Sequence, residues 1–310
     1  YEINQFPGKD KADTAFKNPA KYLAGVVPAS SDIHIVDAAK QQNPLALYES
    51  TASSAPAIAG KITITNKTNY FLIQNTTAVL QSNVSVLKQI FDKAEAAREK
   101  LADRIKINTP DKYINTLGAA LSIAADAIWE PPSYMHGAVA WRMRLNGWRG
   151  PYVADVLGWH DRAREHFSSY ALSQLTAPPV TGVVMDTALH LARHVEKIGT
   201  ALFSDGYISR NPNDSTHAHH YDMNLVFIDE LLNHFNWTGD TDYVRKMFPL
   251  IKRHLAWEKR NFDADDDGLY DAYAAIWASD ALQYSGGGVT HSSAYNYRAN
   301  KMAAELATLI

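Results

Sequence analysis

The chain has no cysteine among its 310 residues. That excludes disulfides, zinc–thiolate centres and a cysteine nucleophile. It leaves the compartment open, because many periplasmic proteins also lack cysteine. There is no apolar run near 18 residues, so no transmembrane helix is expected. There is little charge imbalance: 30 Lys and Arg stand against 33 Asp and Glu, a net charge of −3. Neither nucleic acid nor a membrane surface is therefore an expected partner. The first residue is Tyr1 and not Met, which suggests a processed, trimmed or excised product. What remains is a globular composition, 46% hydrophobic and 20% charged, at a length suited to one or two domains.

Three regions follow from patterning. Residues 1–83 are rich in Ser, Thr, Asn, Ala and Pro. Their stretch KITITNKTNYFLI (61–73) alternates at Ile62, Ile64, Tyr70 and Leu72, with Asn66-Lys67 near a turn. This reads as the end of a small β-rich module plus a linker. From Val84 the period becomes helical. Val84, Leu87, Ile90, Phe91, Ala94, Leu101 and Ile105 form one stripe, a linker helix within 84–111. Residues 112–310 hold further helices, expected at 112–129, 152–172, 185–199, 221–237, 241–259 and 292–310. In 241–259, Val244, Phe248, Ile251 and Leu255 face inward, Thr241 stands at the N-cap, and Pro249 introduces a kink. Short connections alternate with long ones at 130–151, 200–220 and 260–291, which are loaded with aromatic, charged and amide residues. The alternation implies helical hairpins with the rich loops gathered at one end, where function concentrates.

The richest stretch is NFDADDDGLYDAYAAIWASDALQYSGGG (261–288). Asp263, Asp265, Asp266, Asp267 and Asp271 surround Gly268, and Tyr270, Tyr273, Trp277, Asp280 and Tyr284 follow. Carboxylates beside aromatic rings on a glycine-bearing loop suit sugar binding and acid–base work on a glycosidic bond. The alternative is a solvated acidic turn followed by packing aromatics. Asp263, Asp265 and Asp267 match the first half of an EF-hand loop with Asp271 at the ninth position. The twelfth is Ala274 where a bidentate Glu is required, so a true EF-hand is excluded. A looser structural Ca²⁺ site, or a turn fixed by Asx hydrogen bonds, remains. Otherwise no cofactor is required. The cluster His217, His219, His220, Asp222 admits a metal site, contacts to sugar hydroxyls, or a structural role.

The stretch WTGDTDYVRKMFPLIKRHLAWEKRNFDADDDGLYD (237–271) resembles a segment typical of six-hairpin glycosidases, the superfamily of trehalases, glucoamylases, processing α-glucosidases and α-L-rhamnosidases. NGWRGPYVADVLGW (146–159), GYISRNP (206–212) and WASDALQY (277–284) resemble other loops of that superfamily. The resemblance covers roughly 112–310 and implies a mainly α chain carrying an (α/α)6 barrel. It implies an inverting glycoside hydrolase acting on oligo- or polysaccharides, expected in the periplasm or secreted. By resemblance, Asp280 is the general acid. Arg149, Tyr152 and Asp155 reach the sugar, with Trp159 behind, and Arg210 lies in the second-hairpin loop. The resemblance to trehalases does not place WEPPSYMHG (129–137) or STHAHHYDMN (215–224).

Counting 112–129 as the first barrel helix, the chain reaches only the sixth of twelve. The barrel is thus expected to be incomplete, with its C-terminal half, and the general base, in a further segment.

Reading the residues themselves leaves alternatives. Asp271 and Glu130 are further candidates for the acid, and an Asp at position 280 also suits an N-cap or ion pair. Trp148, Trp159, Trp277, Tyr152 and Tyr284 offer stacking faces for a carbohydrate, or core packing. A polysaccharide lyase using His219, Tyr221 and Asn224 is the second functional reading, and a non-catalytic carbohydrate-binding protein the third.

Overall fold

The computed structural model describes residues 2–4, 22–51, 55–76, 83–137, 142–185, 194–274 and 286–310. The chain forms two compact units, Tyr1–Lys100 and Leu101–Ile310. The division falls inside the expected 84–111 linker.

In the first unit, β1 (Glu2–Asn4), β2 (Tyr22–Val26) and β5 (Leu72–Thr76) form an antiparallel sheet with β2 in the middle. A second pair joins β3 (Asp32–Asp37) to β4 (Pro56–Lys61), with Ile35 opposite Ile58. Between β3 and β4 lies α1 (Pro44–Glu49). Asn43 caps it by accepting from the Leu45 and Ala46 amides, and Pro44 takes the first helical position. The alternating 61–73 stretch is not one strand. β4 ends at Lys61, β5 begins at Leu72, and each pairs elsewhere. Ile64 is 88% exposed, so the Thr/Ile alternation has no face to bury against. The helix α2 (Leu87–Ala102) forms, yet its stripe is largely unburied: Phe91 is 52% exposed, and Leu87 is its buried residue.

The second unit is mainly α. Asp111 caps α3 (Lys112–Ala127) by accepting from the Tyr113 amide at 2.8 Å. A small sheet follows, β6 (Trp129–Glu130), β7 (Ser133–His136) and β8 (Met143–Arg144). The helix expected at 152–172 is two, α4 (Gly150–Val156) and α5 (His160–Ala171). Gly158 breaks it at φ +69°, a conformation glycine enters without Cβ strain, while the Trp159 amide closes onto the Ala154 carbonyl at 2.8 Å.

The expected 185–199 helix is overturned at its described ends. Met185 pairs with His194 in an antiparallel bridge, and the Val195 amide donates to the Val184 carbonyl. The β-branched residues Val183, Val184 and Val195 favour that extended pairing. Residues 186–193 lie outside the described set.

The remaining helices stand as expected: α6 (Met223–Thr238), α7 (Thr241–Phe262) and α8 (Thr290–Leu309). Gly239 and Asp240 alone separate α6 from α7, making a helical hairpin. The N-cap of α7 is Asp240, which accepts from the Tyr243 amide, rather than Thr241. α7 continues through Pro249.

The core is helix on helix. Phe167 and Tyr170 from α5, Phe227, Ile228 and Leu231 from α6, and Val244 and Ile251 from α7 pack together. Each such fully buried side chain contributes about 1.5–3 kcal/mol. Ala299 and Ala303 let α8 approach both α6 and α7 closely. A second cluster, Phe203, Tyr207, Tyr221, Trp257, Phe262 and Tyr270, sits under the long loops. Among the described residues no helix is long and apolar enough to cross a membrane.

Candidate active site

The long connections, 128–149, 172–222 and 263–289, are tied to one another by hydrogen bonds. Ile208 is the first knot. Its amide donates to Asn224 Oδ1 at 2.6 Å, and its carbonyl accepts from Asn224 Nδ2 at 3.0 Å and Asn146 Nδ2 at 2.9 Å. His166 of α5 secures the first loop, accepting from the Tyr134 amide at Nδ1 and donating from Nε2 to the Asn146 carbonyl at 3.0 Å. Burial holds this imidazole neutral, with its pKa lowered to about 3. The Tyr207 hydroxyl accepts from the His219 amide at 3.0 Å and donates to the His219 carbonyl. The Tyr221 hydroxyl reaches the third loop, accepting from the Tyr273 amide at 2.9 Å and donating to its carbonyl at 3.3 Å. The rings of Tyr221 and Phe262 stack, with centroids 5.1 Å apart.

Buried carboxyl groups lie beneath these loops. Glu258 of α7 is 2% exposed and accepts from Asn296 Nδ2 of α8 at 2.9 Å. Burial pushes its pKa up to about 8, and the Asp222 charge adds to this. Nε2 of His254, one turn earlier, lies 3.7 Å from Glu258 Oε1. Burial lowers that imidazole to about 3.

Glu230 of α6 is also buried. Loss of solvent raises it well above the ordinary range, with the Asp229 charge adding to this and the Arg149 amide opposing it. Asp229 accepts from the Tyr152 hydroxyl and pairs with Arg298 Nε at 2.5 Å. Tyr152, Asp229, Asn233, Tyr295 and Arg298 line a cavity of about 380 Å³ between α4, α6 and α8. Sequence reasoning missed both glutamates. The signal was their register: Glu230 lies three residues after Phe227, and Glu258 seven after Ile251, on inward stripes where a charged residue is conspicuous.

The residues proposed from sequence are scattered over this framework. Asp280, Trp277 and Tyr284 lie outside the described residues. Among the described residues nearby, the Gly286 amide donates to the Ala272 carbonyl at 2.9 Å and Asp271 bridges Gly288. The Asp271 carboxyl is raised by partial burial and by the charges of Asp265, Asp267 and Asp263. Glu130 is clamped by Arg142 at 3.0 Å and Arg144 at 3.1 Å, which commits both its oxygens to the β6–β8 sheet.

Trp148 meets the His136 ring edge-on, with Arg149 over its face. Trp159 is buried between the guanidinium groups of Arg104 and Arg162, in a core position that leaves little of its ring exposed for stacking. Asp155 is buried as well, its carboxylate held by His160 and His234, so it points into the helix packing and not toward the loops. Arg210 lies against the Arg144 carbonyl and the Met143 sulfur. His219 pairs with Glu196 at 3.1 Å. Asn224 is fully buried, and with the Tyr221 hydroxyl on backbone, His219, Tyr221 and Asn224 each have a structural partner.

Oxygens of Asp263, Asp265 and Asp267 do converge within 4.8 Å. Lys259 Nζ enters the same loop, 2.6 Å from Asp263 and bonded also to Asp266. Burial alone would raise the Asp263 carboxyl, but Lys259 and the Gly268 amide hold it below its ordinary value. The Gly268 and Leu269 amides donate to Asp263 and Asp267, the Asx bonding of a rigid turn.

Residues 2–95 match a family described as a domain of unknown function, DUF4450. That match lies on the first unit, apart from the loops above. No curated protein matches the chain.

Proposed function

We propose that the second unit is the helical catalytic part of a six-hairpin glycoside hydrolase that cleaves oligo- or polysaccharides with inversion, with Asp280 as general acid. The observation that carries the reading is the interlocking of three aromatic- and charge-rich loops above carboxyl groups that burial keeps protonated. An inverting hydrolase needs a carboxylic acid that still holds its proton near neutral pH, and a partly dry aromatic pocket supplies that shift. The α6–α7 hairpin, with α8 packed on both helices, supports successive hairpins of an (α/α)6 toroid. The 184–195 pairing departs from that alternation.

The test is release of reducing ends from a panel of oligo- and polysaccharides, with proton NMR of the first-formed anomer. The wild-type chain should turn over at least one substrate with inversion. Asp280→Asn should lower kcat at least about 100-fold with an unchanged circular dichroism spectrum. Full activity in Asp280→Asn would remove it as the acid. Ultraviolet absorbance of an unsaturated uronate product would replace hydrolysis by lyase chemistry. Binding without turnover would leave a carbohydrate-binding protein.

A further inference from the structure

A cluster at the far end of the helices from the loops has no role in the reading above. The turn at Gly158 folds the start of α5 back over the last turn of α4. This brings His160 Nδ1 to 2.7 Å from Asp155 Oδ1. From α6, His234 Nδ1 lies 2.9 and 3.0 Å from the two oxygens of the same carboxylate. His234 stands eleven residues after Met223, about 16 Å along the helix from its loop-bearing end. The side chains of Asp155 and His234 are 1% and 0% exposed, while that of His160 is 43% exposed.

A carboxylate this deeply buried requires compensating positive charge. Arg162, a nearby guanidinium, is ion-paired with Asp126 at 2.8 Å, and among the described residues the ion-pair partners of Asp155 are the two imidazoles. At His234 the other ring nitrogen, Nε2, is buried without a hydrogen-bond partner, so the Nδ1 proton is held by the Asp155 carboxylate alone, and an ion bound at Nδ1 would displace that proton. The three ligand atoms lie within 4.8 Å of one another. Two imidazole nitrogens and one carboxylate oxygen form a donor set suited to zinc and its neighbours.

We infer that Asp155, His160 and His234 form a binding site for a divalent transition-metal ion of the zinc class. The half-exposed His160 provides the entry path and leaves room for a water ligand. Such an ion would tie α4, α5 and α6 together and neutralise the buried carboxylate. The site is separate from the candidate active site and does not depend on the hydrolase reading.

The experiment uses the full chain, dialysed against chelator. Zn²⁺ is added in a calorimeter and Co²⁺ is followed by its visible absorbance. Binding of one equivalent in the micromolar range or tighter, with a melting temperature raised by several degrees, is expected. His160→Ala, at a half-exposed position, should bind at least 30-fold more weakly. His160→Gln, which keeps a hydrogen bond to Asp155, should lose the metal equally. An Asp263→Asn, Asp265→Asn, Asp267→Asn variant should bind as wild type. The assignment is overturned by no saturable uptake, by undiminished binding in His160→Ala, or by loss of binding in the acidic-loop variant.

Discussion

Replacing Glu258 by Gln should make the protein more stable at neutral pH than the wild type. The folded chain holds the Glu258 proton up to about pH 8, whereas its ordinary value is 4.5. Between those limits the native state binds one more proton than the unfolded chain, so stability falls as pH rises through the window and levels off above it. Each pH unit costs about 1.4 kcal/mol. Glutamine is neutral throughout and escapes this cost. Its carbonyl can accept from Asn296 as Glu258 Oε2 does at 2.9 Å, and its amide can face His254 Nε2, which has no hydrogen-bond partner. The stability difference, variant minus wild type, should therefore grow by about 2–3 kcal/mol between pH 5 and pH 7. Urea unfolding followed by tryptophan fluorescence, with both proteins measured at each pH, reads this directly. A difference that stays flat with pH would refute the reasoning, because Glu258 would then be ionised in the folded protein at neutrality.

Three further outcomes follow from the packing. Gly206→Ala should destabilise by about 3 kcal/mol or more. Gly206 sits at φ +104°, where an added Cβ would lie 2.3 Å from Trp257 Cβ and 2.6 Å from the Arg253 carbonyl oxygen. A loss under about 1 kcal/mol in denaturant melts would contradict this close approach. Phe227→Ala, at a fully buried ring between α5 and α6, should cost about 3–5 kcal/mol by the same assay. Tyr221→Phe keeps the stack on Phe262 but removes the hydroxyl that holds the Tyr273 backbone. Hydrogen exchange at the Tyr273 amide should quicken roughly tenfold, and an unchanged rate would dissolve the proposed tie between loops.

Much of the framework was legible locally. The helices expected at 112–129, 221–237, 241–259 and 292–310 from apolar spacing and from breaks such as Gly239 form at 112–127, 223–238, 241–262 and 290–309. The loops rich in aromatic and charged residues stood out by composition, and the hydrogen bonds through Ile208 and Tyr273 now join them. Other features were not legible. The Val-rich flanks of 186–193 pair as extended backbone, because the gain comes from a partner strand and not from local periodicity. The helix expected over 152–172 ran through Gly158, and only the structure shows that the chain turns there, between α4 and α5.

What the sequence by itself determined is where backbone turns helical, where it is punctuated, and where chemistry-bearing side chains are dense. These depend on neighbours a few residues away. What only the tertiary structure decided is which of those side chains lose water. Glu258 meets Asn296 across 38 residues, and Asp155 meets His234 across 79. Burial sums over such distant contacts, and it sets whether a carboxyl holds a proton, faces a loop, or sits between two imidazoles. Asp155 therefore moved from an expected sugar contact to a proposed metal ligand, and Glu258 became the carboxyl whose proton the fold controls.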